Sequence, residues 1–434
     1  MTAPIIIVGG GLSGLAAGVK LAPHHPVLVL EQKARAGGRA YSFIDATTGG
    51  VIDNGQHVLL AGYDRTMDFL KRIGTKHLLD VQESPALHLH HPSKGFCTFS
   101  LPKLPSPLHL LSGILSTNLF SFSDKLKLLR AGISLSFPAE NLANLTINQW
   151  LDRIGQSTET KRSFWEPLAI SIMNEHIVTA SAKVFVDALR LAFLKRRNNS
   201  SLALPHVGLS ELYVDKAVSF IEQLGGIIRL NADVVALTIE NNIVVAVTLR
   251  DGTSIEGSSV ILALPHYRLA EVLPRGTINE EFLSTPSSPI VSVHLWFGNA
   301  FMPQDFIGLI DRRVQWIFNK GKTAAGLSHL SCVISAAYDA VEMTNEELVS
   351  LAIGDLQSVY DSVPSTPVHA VVIREKRATF SCTPLAEGLR PGHQTAIPNL
   401  FLAGDWTNTG LPATIEGAVL SGELCADLAL ASGS

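Results

Sequence analysis

Apolar and polar positions along this chain fall into blocks whose period changes several times. Ile5 to Val8 is an unbroken apolar run that passes through glycines into Leu12–Leu21, where Leu12, Leu15, Ala16 and Val19 recur at helical spacing. A continuous run of this kind is expected of a parallel strand covered on both faces, with the helix packed against it. His25-Pro-Val-Leu-Val-Leu-Glu31 repeats the strand signal. The stretch from Gly208 to Gly226 reads as a helix, and alternation from Ile227 to Pro265, broken at Asn241-Asn242 and Asp251-Gly252, predicts a β-meander. Near the other end, Pro398-Asn-Leu-Phe-Leu-Ala-Gly-Asp405 is again a strand running into glycine, and Pro412 to Leu430 predicts an amphipathic helix with proline in its first turn.

Strand, glycine turn, helix and strand in that order carry chemistry. Gly9, Gly11 and Gly14 have the spacing that permits a tight turn, a close backbone approach to a pyrophosphate and a close helix–strand crossing. Leu12 and Ser13 then open the helix whose N-terminus faces the phosphates. Glu31 ends the second strand about 20 residues beyond Gly11, where a carboxylate accepts both hydroxyls of an adenosine ribose, and Gln32 follows it. An ordinary βαβ unit with a solvated Glu31 is the plainer alternative. For Gly404 and Asp405 that alternative is a strand-to-helix connection with Asp405 as a cap.

Composition narrows the rest. With 434 residues, 46% hydrophobic and 17% charged, the chain exceeds the usual size of one core and is more apolar than most soluble domains. A net charge of −4 offers no electrostatic footprint for nucleic acid, and the four dispersed cysteines form no metal or redox spacing. The expected location is the cytoplasm, with reduced thiols. Leu101 to Phe137 is apolar, proline-punctuated at its start and carries Lys125, Lys127 and Arg130, which suits either a helical hairpin or peripheral docking on an anionic membrane.

Arg35-Ala-Gly-Gly38-Arg39, just past the acidic residue, resembles the segment of the FAD-dependent amine oxidase and phytoene desaturase superfamily that contacts the diphosphate. The resemblance implies an α/β fold: a Rossmann-like FAD-binding domain of the glutathione reductase 2 type, interleaved with a mixed α+β substrate domain. The FAD-binding domain is expected at residues 1–65, 205–265 and 391–434, and the substrate domain at 66–204, helical, and 266–390, mixed. It also implies FAD as cofactor, with Gly38 and Arg39 at the diphosphate, the Val234 backbone at the adenine and Asp405 at the ribityl chain. Thr414 and Ile415 open a helix aimed at the flavin, while Gly55, Gln56 and His57 pass beside the ring.

The wording Asp53-Asn-Gly-Gln-His-Val-Leu-Leu60, with FWEPLAISIMN, LPHVGLSELYVD and REKRATF, resembles more narrowly the squalene-associated branch, the hydroxysqualene dehydroxylase family. A long-chain isoprenoid substrate, hydroxysqualene converted to squalene, and a bacterial hopanoid pathway follow from that resemblance. The proton donor is expected among Asp53, first, then His57 and Glu175, since a carboxyl in apolar surroundings stays protonated more readily. A carotenoid desaturase, a flavin amine oxidase and a prenyl-lipid carrier without flavin chemistry are the rival readings.

Overall fold

The computed structural model describes residues 3–137 and 141–432. Its apolar runs become a five-stranded parallel sheet in the order Ile227–Arg229, Val27–Leu30, Ile5–Val8, Ser259–Leu262 and Leu400–Leu402. Each of the last three is buried at every position, which is why these strands show no alternation in sequence. Three stretches distant in the chain therefore share one sheet.

The predicted helix at the C-terminus begins at Ile415, three residues after Pro412, and runs to Ser432. It is less one-sided than expected. Glu416 and Glu423 are buried along with Val419, Cys425 and Ala426, because Glu416 reaches the start of the Asp64–Ile73 helix: its carboxylate accepts from Arg65 N (3.0 Å), Thr66 N (2.9 Å) and Thr66 Oγ1 (2.7 Å). A helix N-terminus lacking its own side-chain cap thus borrows one from a residue 350 positions away.

The meander is present at Val234–Glu240, Ile243–Leu249 and Ser254–Glu256, turning through Asn241 and Asn242 at φ 50° and 61°. Those paired positive angles suit the twist of a two-residue hairpin. Ile227–Arg229 and Ser259–Leu262, read as part of the same meander, belong instead to the parallel sheet.

A second large sheet has seven strands in the order His369–Phe380, Ser287–Phe297, Ser328–Ser335, Trp316–Lys322, Phe306–Leu309, Ala86–His91 and Gly95–Ser100. The last two correct the expectation that residues 66–204 are helical. Cys97 and Phe99 point inward while Phe96, Thr98 and Ser100 are exposed, a period-two signal too short to stand out between prolines. Leu79–Val81 and Leu202–Pro205 are further strands of that stretch, antiparallel to each other. The remainder is helical, including Leu108–Ser116 and Phe122–Leu135.

Candidate functional site: a dinucleotide groove between two corners

Gly9 sits at φ 111°, and a Cβ on Gly14 would lie 2.0 Å from Gly9 O. The first position needs glycine for its backbone angle, the second for the crossing of helix over turn. Gly11 differs from both. Its φ of −71° suits any residue, and the nearest atom to an added Cβ would be Gly38 Cα at 4.0 Å. The space in front of Gly11 is thus open, and no side chain caps the Leu12–Leu21 helix behind it. Leu12, Ser13 and Gly14 supply backbone N–H groups there, as phosphate binding requires.

Glu31 is buried at the end of its strand, where Oε2 accepts from Gly10 N (2.7 Å) and Oε1 from Lys33 N (2.9 Å). It is not the solvated residue of the plainer alternative. Gln32 accepts through Oε1 from Arg268, whose guanidinium also reaches Asp233 at 3.1 Å, next to the buried Val234. The residues expected near the ribose and adenine are therefore held together.

The second corner meets the first directly. Gly404 N donates to Ser421 Oγ (2.9 Å), fixing strand end to helix, and Thr414 Oγ1 accepts from Gly417 N (3.2 Å), capping the helix that Ile415 begins. A Cβ on Gly422 would lie 2.0 Å from Ser13 O, so the helices of the two corners cross in contact. Arg39 Nη2 donates to Asp405 Oδ2 at 2.8 Å, joining residues 366 apart. Sequence reasoning missed Arg390, whose buried guanidinium donates to the carbonyls of Asp405, Trp406, Thr407 and Leu411 and so moulds the turn after Gly404. A lone arginine in an otherwise apolar and glycine-rich stretch was its only signal.

Between the corners runs the segment from Asp53 to His57. Asp53 Oδ1 accepts from Ser42 Oγ (2.7 Å) and Leu209 N (3.0 Å), and Oδ2 lies 3.5 Å from Lys320 Nζ. Asp53 thus has polar partners on both oxygens where the sequence reading expected apolar walls. Gln56 Oε1 accepts from the same ammonium at 3.2 Å. His57 stays neutral, because burial pushes its imidazole down to about 4 although Asp53 pulls the other way. Gly55 faces open space. Lys320 carried no local motif and was not foreseen.

Strand His369–Phe380 lines the groove beside Asp45, Asn54 and Arg39. His369 reaches Asp45 Oδ1 (3.3 Å), Glu375 Oε2 accepts from Asn54 Nδ2 (3.2 Å), and Ala378 O accepts from Arg39. Glu175 lies beyond its end in a separate cluster, where Oε1 accepts from Thr179 Oγ1 (2.8 Å) and Oε2 from Tyr338 Oη (2.6 Å) and Ser381 Oγ. Its contacts tie loops together and include neither Asp53 nor His57. Cys382 next to it is buried, with its thiol pushed up to about 12, which suits a small filler rather than a nucleophile.

These residues fit a dinucleotide: an open glycine cradle, an uncapped helix start, a fixed carboxylate where the ribose is expected, and Arg39 paired with Asp405. The chain matches the family described as flavin containing amine oxidoreductase over residues 12–430. It is similar to the hydroxysqualene dehydroxylases of Sinorhizobium fredii, 31% identical over 98% of this chain and 97% of that one, and of Rhodopseudomonas palustris, 31% identical over the full length of both. The 15-cis-phytoene desaturase of an Oncidium hybrid cultivar is 24% identical over 97% of this chain and 77% of its own. Among solved structures, an oxidoreductase from Methanosarcina mazei shares the fold at a TM-score of 0.76 and 17% identity, covering 98% of this chain and all of its own. With the groove built from both ends of the sequence, the chain belongs to the flavin-containing amine oxidoreductase family and is an FAD-dependent oxidoreductase.

Proposed function

We propose that this oxidoreductase replaces the allylic hydroxyl of hydroxysqualene with hydrogen, giving squalene and water. End-to-end similarity to hydroxysqualene dehydroxylases is the observation that carries this reading. When bound, the reduced flavin supplies the hydride and the alcohol's oxygen leaves with a proton, so the atoms balance as alcohol plus FADH2 to hydrocarbon, water and FAD. Hydroxide is a poor leaving group, so a protonated side chain must stand near it.

Lys320 is our candidate for that proton carrier, in place of Asp53. Its ammonium sits between Gln56 Oε1 and Asp53 Oδ2, mostly out of solvent, and Asp53 acts as its positioning residue. Asp53→Asn keeps the carbonyl oxygen that accepts from Leu209 N but removes the charge opposite Lys320. The expected result is a fall in kcat of roughly 10²-fold, the lower end of the range for general acid catalysis, with flavin content unchanged. Wild-type turnover in this variant would remove Asp53 from the proton path.

Incubating the purified protein, reduced and oxygen-free, with hydroxysqualene and identifying the extracted product by mass spectrometry tests the reaction itself. Squalene is the expected product. Recovery of unchanged alcohol, alongside dehydrogenation of a polyene by the oxidised protein, would replace this reading with a desaturase.

We further propose that the helices Leu108–Ser116 and Phe122–Leu135 rest on the membrane from which so apolar a substrate must come. None of the described helices is long and apolar enough to cross a bilayer. Leu108, Leu111, Leu115, Leu126 and Ile133 are nevertheless exposed, and Phe122 is 73% exposed. Lys103 and Arg130 are exposed at the same hairpin, as an anionic surface favours. Since these side chains are already in water, Leu111→Glu with Phe122→Glu should leave stability within about 0.5 kcal/mol of wild type. It should weaken co-sedimentation with phosphatidylglycerol vesicles at least ~10-fold, each lost apolar anchor being worth about 1.5–3 kcal/mol. Unchanged sedimentation would discard the surface.

A further inference from the structure

The seven-stranded sheet has two unlike faces. Val291, Val293 and Leu295 point to one side with Leu330, Cys332 and Ile334, packing on the Asn345–Gln357 helix. The alternate residues Ser292, His294 and Trp296, with His329 and Ser331 on the neighbouring strand, point to the other. The register sets His294 opposite Ser331 and Trp296 opposite His329. On this face Phe306, Phe318 and Val333 cluster with Val58 and Leu204, while Lys320, Asp53, Asp45 and the ring of His369 come near the histidine pair and Trp296. Val58 belongs to the segment that follows His57, which places the patch on the wall facing the flavin side of the molecule.

The five polar residues are buried, none more than 6% exposed. His294 Nδ1 and His329 Nε2 are 3.0 Å apart, and Trp296 stacks on His329 with centroids 4.2 Å apart at 10°. Four buried atoms in this patch nonetheless have no hydrogen-bond partner: Ser292 Oγ, His294 Nε2, Trp296 Nε1 and Ser331 Oγ. Leaving one such atom unpaired in an interior is costly, and native interiors rarely leave them so. Four on one face of a sheet, between an apolar cluster and the Lys320 ammonium, constitute a site for something polar.

The chemistry of the four atoms restricts what that is. Trp296 Nε1 only donates, the serine hydroxyls donate and accept, and His294 Nε2 does either, according to which nitrogen of the histidine pair carries the shared proton. Neither a carboxylate nor a guanidinium is among the five. The set therefore complements a small neutral group that both gives and takes hydrogen bonds. On a long isoprenoid alcohol only one group answers that description.

We propose that His294, Ser292, Ser331 and Trp296 form the notch that takes the hydroxyl of the substrate and holds the water formed from it. The notch thereby selects the alcohol over the hydrocarbon product of the same skeleton. This rests on the dehydroxylase reading above and adds to it a specificity determinant. A site built to bond a hydroxyl rejects the analogue lacking it, because its own polar atoms are then left unpaired.

Binding is measured on the FAD-loaded oxidised protein, which cannot reduce the alcohol, by titrating hydroxysqualene and squalene separately and following the flavin absorbance. Wild type is expected to bind the alcohol at least ~10-fold more tightly, a little over one net hydrogen bond. His294→Leu, and independently Ser292→Ala with Ser331→Ala, should bring the ratio to within about 3-fold of unity while squalene binds as before or more tightly. His294→Gln should recover part of the preference. Thermal unfolding identifies any variant that fails to fold, and the serine pair, small and side-chain conserving, then carries the test. A ratio that both variants retain would overturn the notch, as would loss of flavin with the ratio intact, which would assign these atoms to the cofactor. Reductive turnover by wild type separates the two claims: turnover with an unaltered ratio in the variants ends the notch alone, whereas a wild type that neither binds nor turns over hydroxysqualene ends the dehydroxylase reading as well.

Discussion

Gly11→Ala should fold normally and purify without its yellow colour. The added methyl enters open space, 4.0 Å from Gly38 Cα, at a backbone angle of −71° that alanine adopts without strain. The fold is charged only the small difference between glycine and alanine at a helix N-cap, up to about 1 kcal/mol. That space is where the turn must let a pyrophosphate approach the N–H groups of Leu12, Ser13 and Gly14. Pushing the phosphates outward weakens several charge-assisted hydrogen bonds together, each worth roughly 1.5–3 kcal/mol, so FAD affinity should fall by ~10² or more. Flavin released on denaturation and thermal unfolding of the apoprotein measure the two effects separately. Gly14→Ala provides the contrast. Its methyl would lie 2.0 Å from Gly9 O, and that variant should lose stability as well as flavin. A Gly11→Ala protein that retains stoichiometric FAD would mean that the dinucleotide takes another path across the groove.

The contrast between these two glycines illustrates what the sequence conveys and what it withholds. Spacing marks Gly9, Gly11 and Gly14 alike, since all three serve one short turn, and the parallel strands beside them are legible because burial on both faces writes itself as unbroken apolar runs. The distinct job of each glycine depends on Ala263, Gly38 and the Gly9 carbonyl, and the spacing alone does not tell them apart. The same holds for side chains that act across the fold. Glu416 looks like an exposed residue on a helix and proves to be the cap of another, and Arg390 gathers four carbonyls from a turn beginning 15 residues later. Lys320 meets Asp53 over 267 residues, so the charge environment of Asp53 was invisible while its position beside Gln56 and His57 was not. Sequence motifs recorded the turns and strand ends that shape the groove. They left out the partners that reach across the fold.

Protonation also governs the second large effect, a steep loss of stability in mild acid. Burial holds His294 down to about 3 and His329 down to about 4, with Lys320 pushing both the same way and Asp53 and Asp45 drawing His329 back. Both histidines have ordinary values near 6.5 once unfolded. Between pH 6.5 and 4 the unfolded chain therefore binds protons that the folded chain refuses, and stability must fall as the pH falls through that window. Each such histidine contributes a slope of up to about 1.4 kcal/mol per pH unit, so the pair should remove on the order of 2–5 kcal/mol between pH 7 and 4.5. His57, held near 4 but partly exposed, adds in the same direction and less. His176 opposes them: its hydrogen bond to Glu166 raises it, so its contribution is present at low pH and fades as the pH rises, and its exposed ring keeps that contribution small. Urea unfolding of the FAD-saturated protein at pH 7, 6 and 5 should show the decline, and His294→Asn with His329→Gln should flatten it by about 2 kcal/mol per pH unit. If the variant and wild-type curves instead run parallel, the buried histidine pair takes up protons as readily folded as unfolded. The sheet face carrying it would then have to be open to water, and an apolar chamber with a selective polar notch would no longer describe it.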